Sequence, residues 1–189
     1  MQDIGTAKEH NIIQNEGAVY IGNFSEIQAT SEFVKTLAEK MLGVFKDKMT
    51  ISAKPKIRPI KNAAGKVKGW QTIDQWDVKI TGDLLDFNSK LLETSLFKKE
   101  SNGRYTAQVG IIEESNYTDV LIVGENNKGE YNIILVRDVF NTEGLSFDLK
   151  GKDEAGFKLS LENVYKDIKT VPIEVFTSFK DMYMLEKIE

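Results

Sequence analysis

The chain has 189 residues, with 25 Lys and Arg against 29 Asp and Glu, a net charge of −4, no cysteine and a single histidine, His10. This excludes disulfides, thiolate metal sites and cysteine nucleophiles, leaves a Ser–His–Asp triad only one histidine in a polar leader, and opposes a grip on nucleic acid by counterion release. Hydrophobic residues at 41% and charged residues at 29% suit one folded domain, and no window nears the roughly 18 consecutive apolar residues of a membrane span.

Residues 1–16, whose start MQDIGTAKEHN lacks the basic-then-apolar order of a signal peptide, read as a flexible arm on a chain made in a cytoplasm. Gly17-Ala18-Val19-Tyr20-Ile21-Gly22 is a short strand bracketed by glycines. Thr30 stands at an N-cap position before 31–46, where Phe33, Val34, Leu37, Ala38, Met41, Leu42 and Phe45 fill one helical face. Gly43 weakens that expected helix by up to about 1 kcal/mol. Next, MTISAKPKIRPI over 49–60 alternates but contains Pro55 and Pro59, so it reads as an edge strand or an extended arm, paired as a long hairpin with 67–81.

The stretch 67–97 changes period in the middle. Trp76, Val78 and Ile80 fall on one strand face, and Gln75, Asp77, Lys79 and Thr81 on the other. After Gly82, Leu84, Leu85, Phe87, Leu91, Leu92 and Leu96 follow a helical period, which predicts a turn at Gly82 and a helix over 83–97. Beyond it, strands are expected over 105–112, 119–123 and 131–137, the last two joined across Glu125-Asn126-Asn127-Lys128-Gly129. The run Ile133–Val136 reads as buried on both faces. Leu145, Phe147 and Leu149 alternate with Ser146, Asp148 and Lys150, and Phe157, Leu159 and Leu161 with Lys158, Ser160 and Glu162, across a turn at 151–156. A last strand over 171–179 precedes a charged tail, 181–189. The expected fold is mainly β: an antiparallel sandwich or half-barrel over 17–180, flanked by a long helix and a possible second one.

Little in this pattern carries chemistry. Glu113-Glu114 and Asp153-Glu154 sit in predicted turns, where adjacent carboxylates point apart rather than across a cleft, so a hydrolase built on Glu113 or Glu114 is a weak reading. No calcium loop or phosphate-binding glycine motif occurs. The chain is expected not to be an enzyme and to use no cofactor or metal. The basic run Lys54, Lys56, Arg58, Lys61, Lys66 and Lys68 has no acid within it, and reads either as a nucleic-acid finger or as an arm docking on an acidic surface of another copy. Trp70 and Trp76, six residues apart, are expected on one strand face, as core or interface anchors or as a glycan-stacking platform.

The order of elements resembles the major tail tube proteins of long, non-contractile-tailed bacteriophages. The residues that carry the resemblance are Gly17-Ala18-Val19-Tyr20-Ile21-Gly22, Thr50-Ile51-Ser52-Ala53-Lys54-Pro55-Lys56, Ile73-Asp74-Gln75-Trp76-Asp77-Val78-Lys79-Ile80-Thr81-Gly82, the helix expected over 87–97, Tyr117-Thr118-Asp119-Val120-Leu121-Ile122-Val123-Gly124 and Phe140-Asn141-Thr142-Glu143-Gly144-Leu145-Ser146-Phe147. They span about two thirds of the chain, and none is a catalytic fingerprint. The resemblance implies a structural subunit of a virion tail, assembled in the host cytoplasm. Six such subunits close a ring, and stacked rings conduct DNA in transit, with no sequence-specific binding and no membrane. Its partners would be its own copies and the tape measure, terminator and baseplate proteins. A terminator or the tube of a tail-like bacteriocin on the same fold is the alternative within that class. Under this reading Gln75, Asp77, Lys79, Ser146, Asp148 and Lys150 are expected to face the lumen, and the basic hairpin residues to touch the next ring.

Overall fold

The computed structural model describes residues 18–24, 27, 37–60, 68–125, 131–151, 153–165 and 170–179. Most of the period-two stretches become strands: β1 (Ala18–Gly22), β2 (Met41–Gly43), β3 (Phe45–Pro59), β4 (Gln71–Leu84), β5 (Phe97–Lys99), β6 (Tyr105–Ala107), β7 (Thr118–Glu125), β8 (Tyr131–Asn141), β9 (Phe147–Lys150), β10 (Asp153–Asn163) and β11 (Ile173–Phe179). One helix, α1 (Ser89–Thr94), lies between β4 and β5. Every strand pair is antiparallel, and β5 and β6 form a separate two-stranded ribbon.

The main sheet runs β2-β1-β7-β8-β10-β4-β3 and branches at β8 and β10. The first half of β8 sits between β7 and β11. Past Asp138, which takes a left-handed φ of 47°, residues Val139–Asn141 pair with β10 instead. The branch folds the sheet into two layers, β2-β1-β7-β8-β11 and β3-β4-β10-β9, and the described residues close no barrel. Val19, Ile21, Val120, Ile122 and Val136 of the first layer meet Val78, Ile80, Leu84, Leu159 and Leu161 of the second in the principal core, with Leu91 of α1 packed among them. Each such aliphatic side chain contributes about 1.5–3 kcal/mol when fully buried. The first layer is also covered outside, where Phe24 and Leu37 pack on Leu121, Ile133 and Leu135. The expectation of a strand buried on both faces at 133–136 therefore holds, with Ile134 only partly covered. The second layer buries one face and leaves the other polar.

Three helix and strand expectations are corrected. Gly82 is not a turn: β4 runs through it to Leu84, held by β3 on one edge and β10 on the other, with Gly82 opposite Leu159. Two-edged pairing outweighs the local helical period, and the glycine is needed because a Cβ there would lie 2.6 Å from Cδ1 of Phe45. The long helix over 83–97 shrinks to Ser89–Thr94, started by Asn88, whose Oδ1 accepts from Leu91 N at 3.0 Å. In the helix expected over 31–46, residues 37–39 are helical, but Met41–Gly43 and Phe45 onward are strands. Gly43 has a left-handed φ of 144°, and Asp86 Oδ2 accepts from Val44 N at 2.6 Å, where the chain passes from β2 to β3. Thr30 and 31–36 lie outside the described residues.

The strand expected over 105–112 stops at Ala107, and the following loop turns at Gly110 with φ 98°, which leaves Val109 and Ile111 95% and 94% exposed. The turn expected over 151–156 is shorter, because β10 already begins at Asp153 and absorbs the excess in an irregularity before Gly156. The arm 1–16, the hairpin tip 61–67, the loop 126–130 and the tail 181–189 lie outside the described residues.

Candidate functional site

Cross-strand register gathers one polar sheet face from four segments. On β4 the residues Gln75, Asp77, Lys79 and Thr81 alternate with buried Val78 and Ile80. Opposite them on β3 stand Lys56, Lys54, Ser52 and Thr50. On the other side, β10 places Glu162 against Lys79 and Ser160 against Thr81, with Lys158 against Asp83. Asp148 of β9 reaches Lys158 at 3.6 Å, while its neighbour Phe147 turns inward to the ring of Phe157. The carbonyl of Ser146 accepts from Lys158 N at 2.8 Å. Gln75, Asp77, Lys79 and Asp148 thus fall on one surface. Lys150 is opposite Asp153 at the end of β9.

This surface is charge-matched rather than basic. Lys79 Nζ donates to Glu162 Oε1 at 2.7 Å, Lys56 bonds Asp77 at 2.9 Å, and Asp77 also accepts from Gln75 at 3.4 Å. The Glu162 hydrogen bond raises the Lys79 pKa above the ordinary lysine value of 10.5. Desolvation opposes that, and the fields of Glu162 and Glu143 add to it. Thr142, from the connection after β8, places its Oγ1 3.1 Å from Ser160 O and 3.3 Å from Glu162 Oε1, where its one proton can go to either. A shallow groove runs between Lys48, Thr50, Lys79, Glu143 and Ser160. Lys48, Thr142 and Glu143 were not singled out from the sequence, because they enter by register and by a loop rather than by alternation.

Two cations of the basic hairpin are also paired within the chain. Its acids come from the facing strand: Asp77 for Lys56, and Asp74 for Arg58 at 2.7 Å. Lys54 and Lys56 lie on the same face as Asp77 and Lys79, so residues expected at the lumen and residues expected between rings share one surface. Lys68 is exposed beside the tip, and Lys61 and Lys66 fall outside the described residues.

Trp70 and Trp76 do not share a face. Pairing passes from Lys56↔Gln75 to Ile57↔Ile73, which leaves Asp74 as an extra residue on β4 and inverts the alternation beyond it. Trp76 therefore packs toward the core, with its backbone oxygen accepting from Tyr165 Oη at 2.9 Å, while Trp70 stands opposite Ile60 on the other face. A stacking platform of these two rings is absent. Glu113 and Glu114 flank a 3-10 turn (Glu114–Asn116) in which the Glu113 side chain accepts from Asn116 N, and Asn116 Oδ1 accepts from Glu113 N at 3.2 Å. Glu113 caps this turn and also lines a cleft with Lys90, Glu93, Gln108 and Tyr117, whereas Glu114 does not line it. Asp153 and Glu154 lie in β10 and not in a turn. Among the described residues, no three His, Cys, Asp or Glu side chains gather as a metal site, and no helix is long and apolar enough to cross a membrane.

A polar node missed by the sequence reading ties the first layer together. Arg137 of β8, 21% exposed, bonds Asp119 of β7 at 3.1 Å and Glu174 of β11 at 3.0 Å, and donates to the carbonyl of Phe24. Asp119 also accepts from Phe24 N and Asp138 N, both at 3.1 Å. Its acceptors are satisfied despite burial. An Arg inside a strand and an Asp at another strand's start give no one-dimensional signal of this.

Among the described residues, no strand pairs with the outer edges of β3 and β11. Such edges template further pairing unless they are covered or closed.

No family model matches the chain, and no curated protein matches it in sequence. Among solved structures, it is similar to a chain of the PVC sheath–tube complex of an extracellular contractile injection system in the extended state, with 15% identity, a TM-score of 0.49, and coverage of 90% of this chain and 95% of that one.

Proposed function

We propose that the chain is a structural, non-enzymatic subunit of a phage or prophage tail tube, whose copies close rings side by side and stack into a conduit for DNA. The observation that carries this reading is the pairing of a charge-matched polar layer with sheet edges that no described strand pairs. A conduit must hold water and repel neither itself nor its cargo, and a face on which Lys56, Lys79 and Lys158 are bonded to carboxylates offers DNA fewer counterion-releasing contacts. Edges left open on one copy are satisfied when a neighbour's edge closes the ring. The order of sequence elements that resembles major tail tube proteins supports the same assignment. Gln75, Asp77, Lys79, Ser146, Asp148 and Lys150 are assigned to the lumen. Tape measure, terminator and baseplate proteins would be its partners, and the virion tail its location after assembly in the host cytoplasm.

The test is electron microscopy of the purified protein across concentration and salt, together with duplex-DNA retention. Rings or tubes that fail to retain DNA are the expected result. Monomers under every condition would refute the subunit role, and tight DNA binding that weakens steeply with salt would refute the conduit. Copy number in purified particles separates a tube, with many copies, from a terminator.

A further inference from the structure

Backbone pairing between β10 and β4 stops at Glu162 and Lys79. Past Lys79 the same edge of β4 stays closed at Val78 and Trp76, but by side chains instead of a strand. Asn163 Oδ1 accepts from Val78 N at 2.8 Å. The Tyr165 hydroxyl accepts from Trp76 N and donates to Trp76 O, the latter at 2.9 Å. One hydroxyl therefore takes both backbone groups that a residue of a neighbouring antiparallel strand would take. Tyr165 stands in for a strand that has ended.

What these two side chains hold is a lever. From Trp76 to Trp70 the hairpin projects about 20 Å at 3.2–3.4 Å per residue. Every residue of β3 from Ala53 to Pro59 is exposed, and between Gln71 and Gln75 only Thr72 and Gln75 are half-buried. Among the described residues, β3 is the one strand that pairs with this part of β4, and a lone two-stranded ribbon is marginal in water. The ion pairs Lys56–Asp77 and Arg58–Asp74 join its two strands to each other, not to the body. At its base, Trp76 packs on the core beside the Asn163 and Tyr165 bonds. The node is also incomplete. Asn163 Nδ2 is buried and has no acceptor among the described residues, a cost that the closed arrangement carries and an exposed amide would not.

We propose that Asn163 and Tyr165 form a releasable latch that sets the direction of the β3–β4 hairpin. With the latch closed, the hairpin continues the line of β4 out of the second layer. With it open, the ribbon bends at Lys79, where β10 stops, and Trp76 lifts from the core. Burial of Trp76 keeps the closed arrangement dominant, and the orphaned amide brings the open one within reach. The latch is a property of the single chain and holds whether or not the chain is a tube subunit.

Both tryptophans of the chain lie on this hairpin, so Trp76 in a Trp70→Phe background is a built-in reporter. Tyr165→Phe removes the hydroxyl and keeps the ring. In the full chain, hydrogen exchange of amides in 53–59 and 71–78 is expected to quicken at least about fivefold, the loss of one or two neutral hydrogen bonds. Exchange in β7 and β8 should not change, and acrylamide should quench Trp76 more strongly. Asn163→Ala, which removes the bond to Val78 N, should act in the same direction and carries the test if Tyr165→Phe does not fold. Unchanged exchange in the hairpin would overturn the latch. Faster exchange in every strand would overturn it too, because the two side chains would then support the whole domain. Faster exchange confined to the hairpin with Trp76 quenching unchanged would mean fraying without a bend at Lys79, and would also overturn it.

Discussion

Replacing Gly82 by alanine measures how closely β3 crosses β4 above the core. The added methyl would sit 2.6 Å from Cδ1 and 2.8 Å from Cε1 of Phe45, and 3.1 Å from the carbonyl oxygen of Lys48. Paired on both edges, the strand cannot move aside without disturbing Leu84 and Leu159, so the ring must leave its place on the core. Overpacking of this kind costs about 1–3 kcal/mol, and the restricted unfolded chain returns about 0.4–1 kcal/mol. The net loss is about 1–2 kcal/mol, a fall in Tm of roughly 3–6 °C for a chain of this size. Thermal and urea unfolding, followed by circular dichroism at concentrations below assembly, read it directly. The partner measurement is the same substitution in a Phe45→Leu background. Removing the ring should cut the cost of Gly82→Ala to under half, since only the Lys48 carbonyl stays tight. An equal loss in both backgrounds would refute the steric account, and a gain in stability from Gly82→Ala alone would refute the close crossing.

Arg137→Met strips Asp119 and Glu174 of their shared cation and Phe24 of a donor, and is expected to cost about 3 kcal/mol because one partner of a largely buried pair is removed. A urea midpoint within experimental error of the wild type would show that the node is not formed in solution. Glu162→Gln removes the main cause of the raised Lys79 pKa, so the Lys79 titration, followed by NMR at the ε-methylene, should fall back toward 10.5. The sign of its effect on stability follows: a raised lysine pKa stabilises below 10.5, and that contribution is lost as pH climbs through the folded value. An unmoved Lys79 titration would refute the pair.

Alternation made the second layer legible. Trp76, Val78 and Ile80 against Gln75, Asp77 and Lys79 placed β4, its apolar face and its polar face, and the prolines placed β3 at an edge with the right partner. Misreadings arose where a single residue changes the geometry. Gly82 carries the same letter whether it turns the chain or admits a phenylalanine ring, and only the neighbouring strand decides. Asp74 looks like one more polar residue, yet as a bulge it sends Trp70 and Trp76 to opposite faces. The segment 41–46 is apolar at helical spacing, but Gly43 and the Asp86 carboxylate make strand pairing available to it. For the site, the sequence supplied the polar residues of each strand but not their cross-strand partners. Ion pairs such as Lys79–Glu162 and Arg137–Asp119 join residues 83 and 18 positions apart, which no local pattern encodes.

Strand order also sets a timetable for synthesis. The β3–β4 hairpin is complete about 70 residues before β10 begins, yet β10 is the strand that pairs β4 into the layer. At about 5–20 residues per second the ribosome takes roughly 4–14 s to supply it. Until Val120, Ile122 and Val136 of the first layer emerge to cover them, Val78 and Ile80 belong to a two-stranded ribbon with a wet apolar face, a structure too small to be stable alone. On a polysome, identical ribbons emerge side by side before any of them has a domain to join. Slow elongation through 85–152 lengthens the wait, and the final fold then depends on how quickly the last third of the chain arrives.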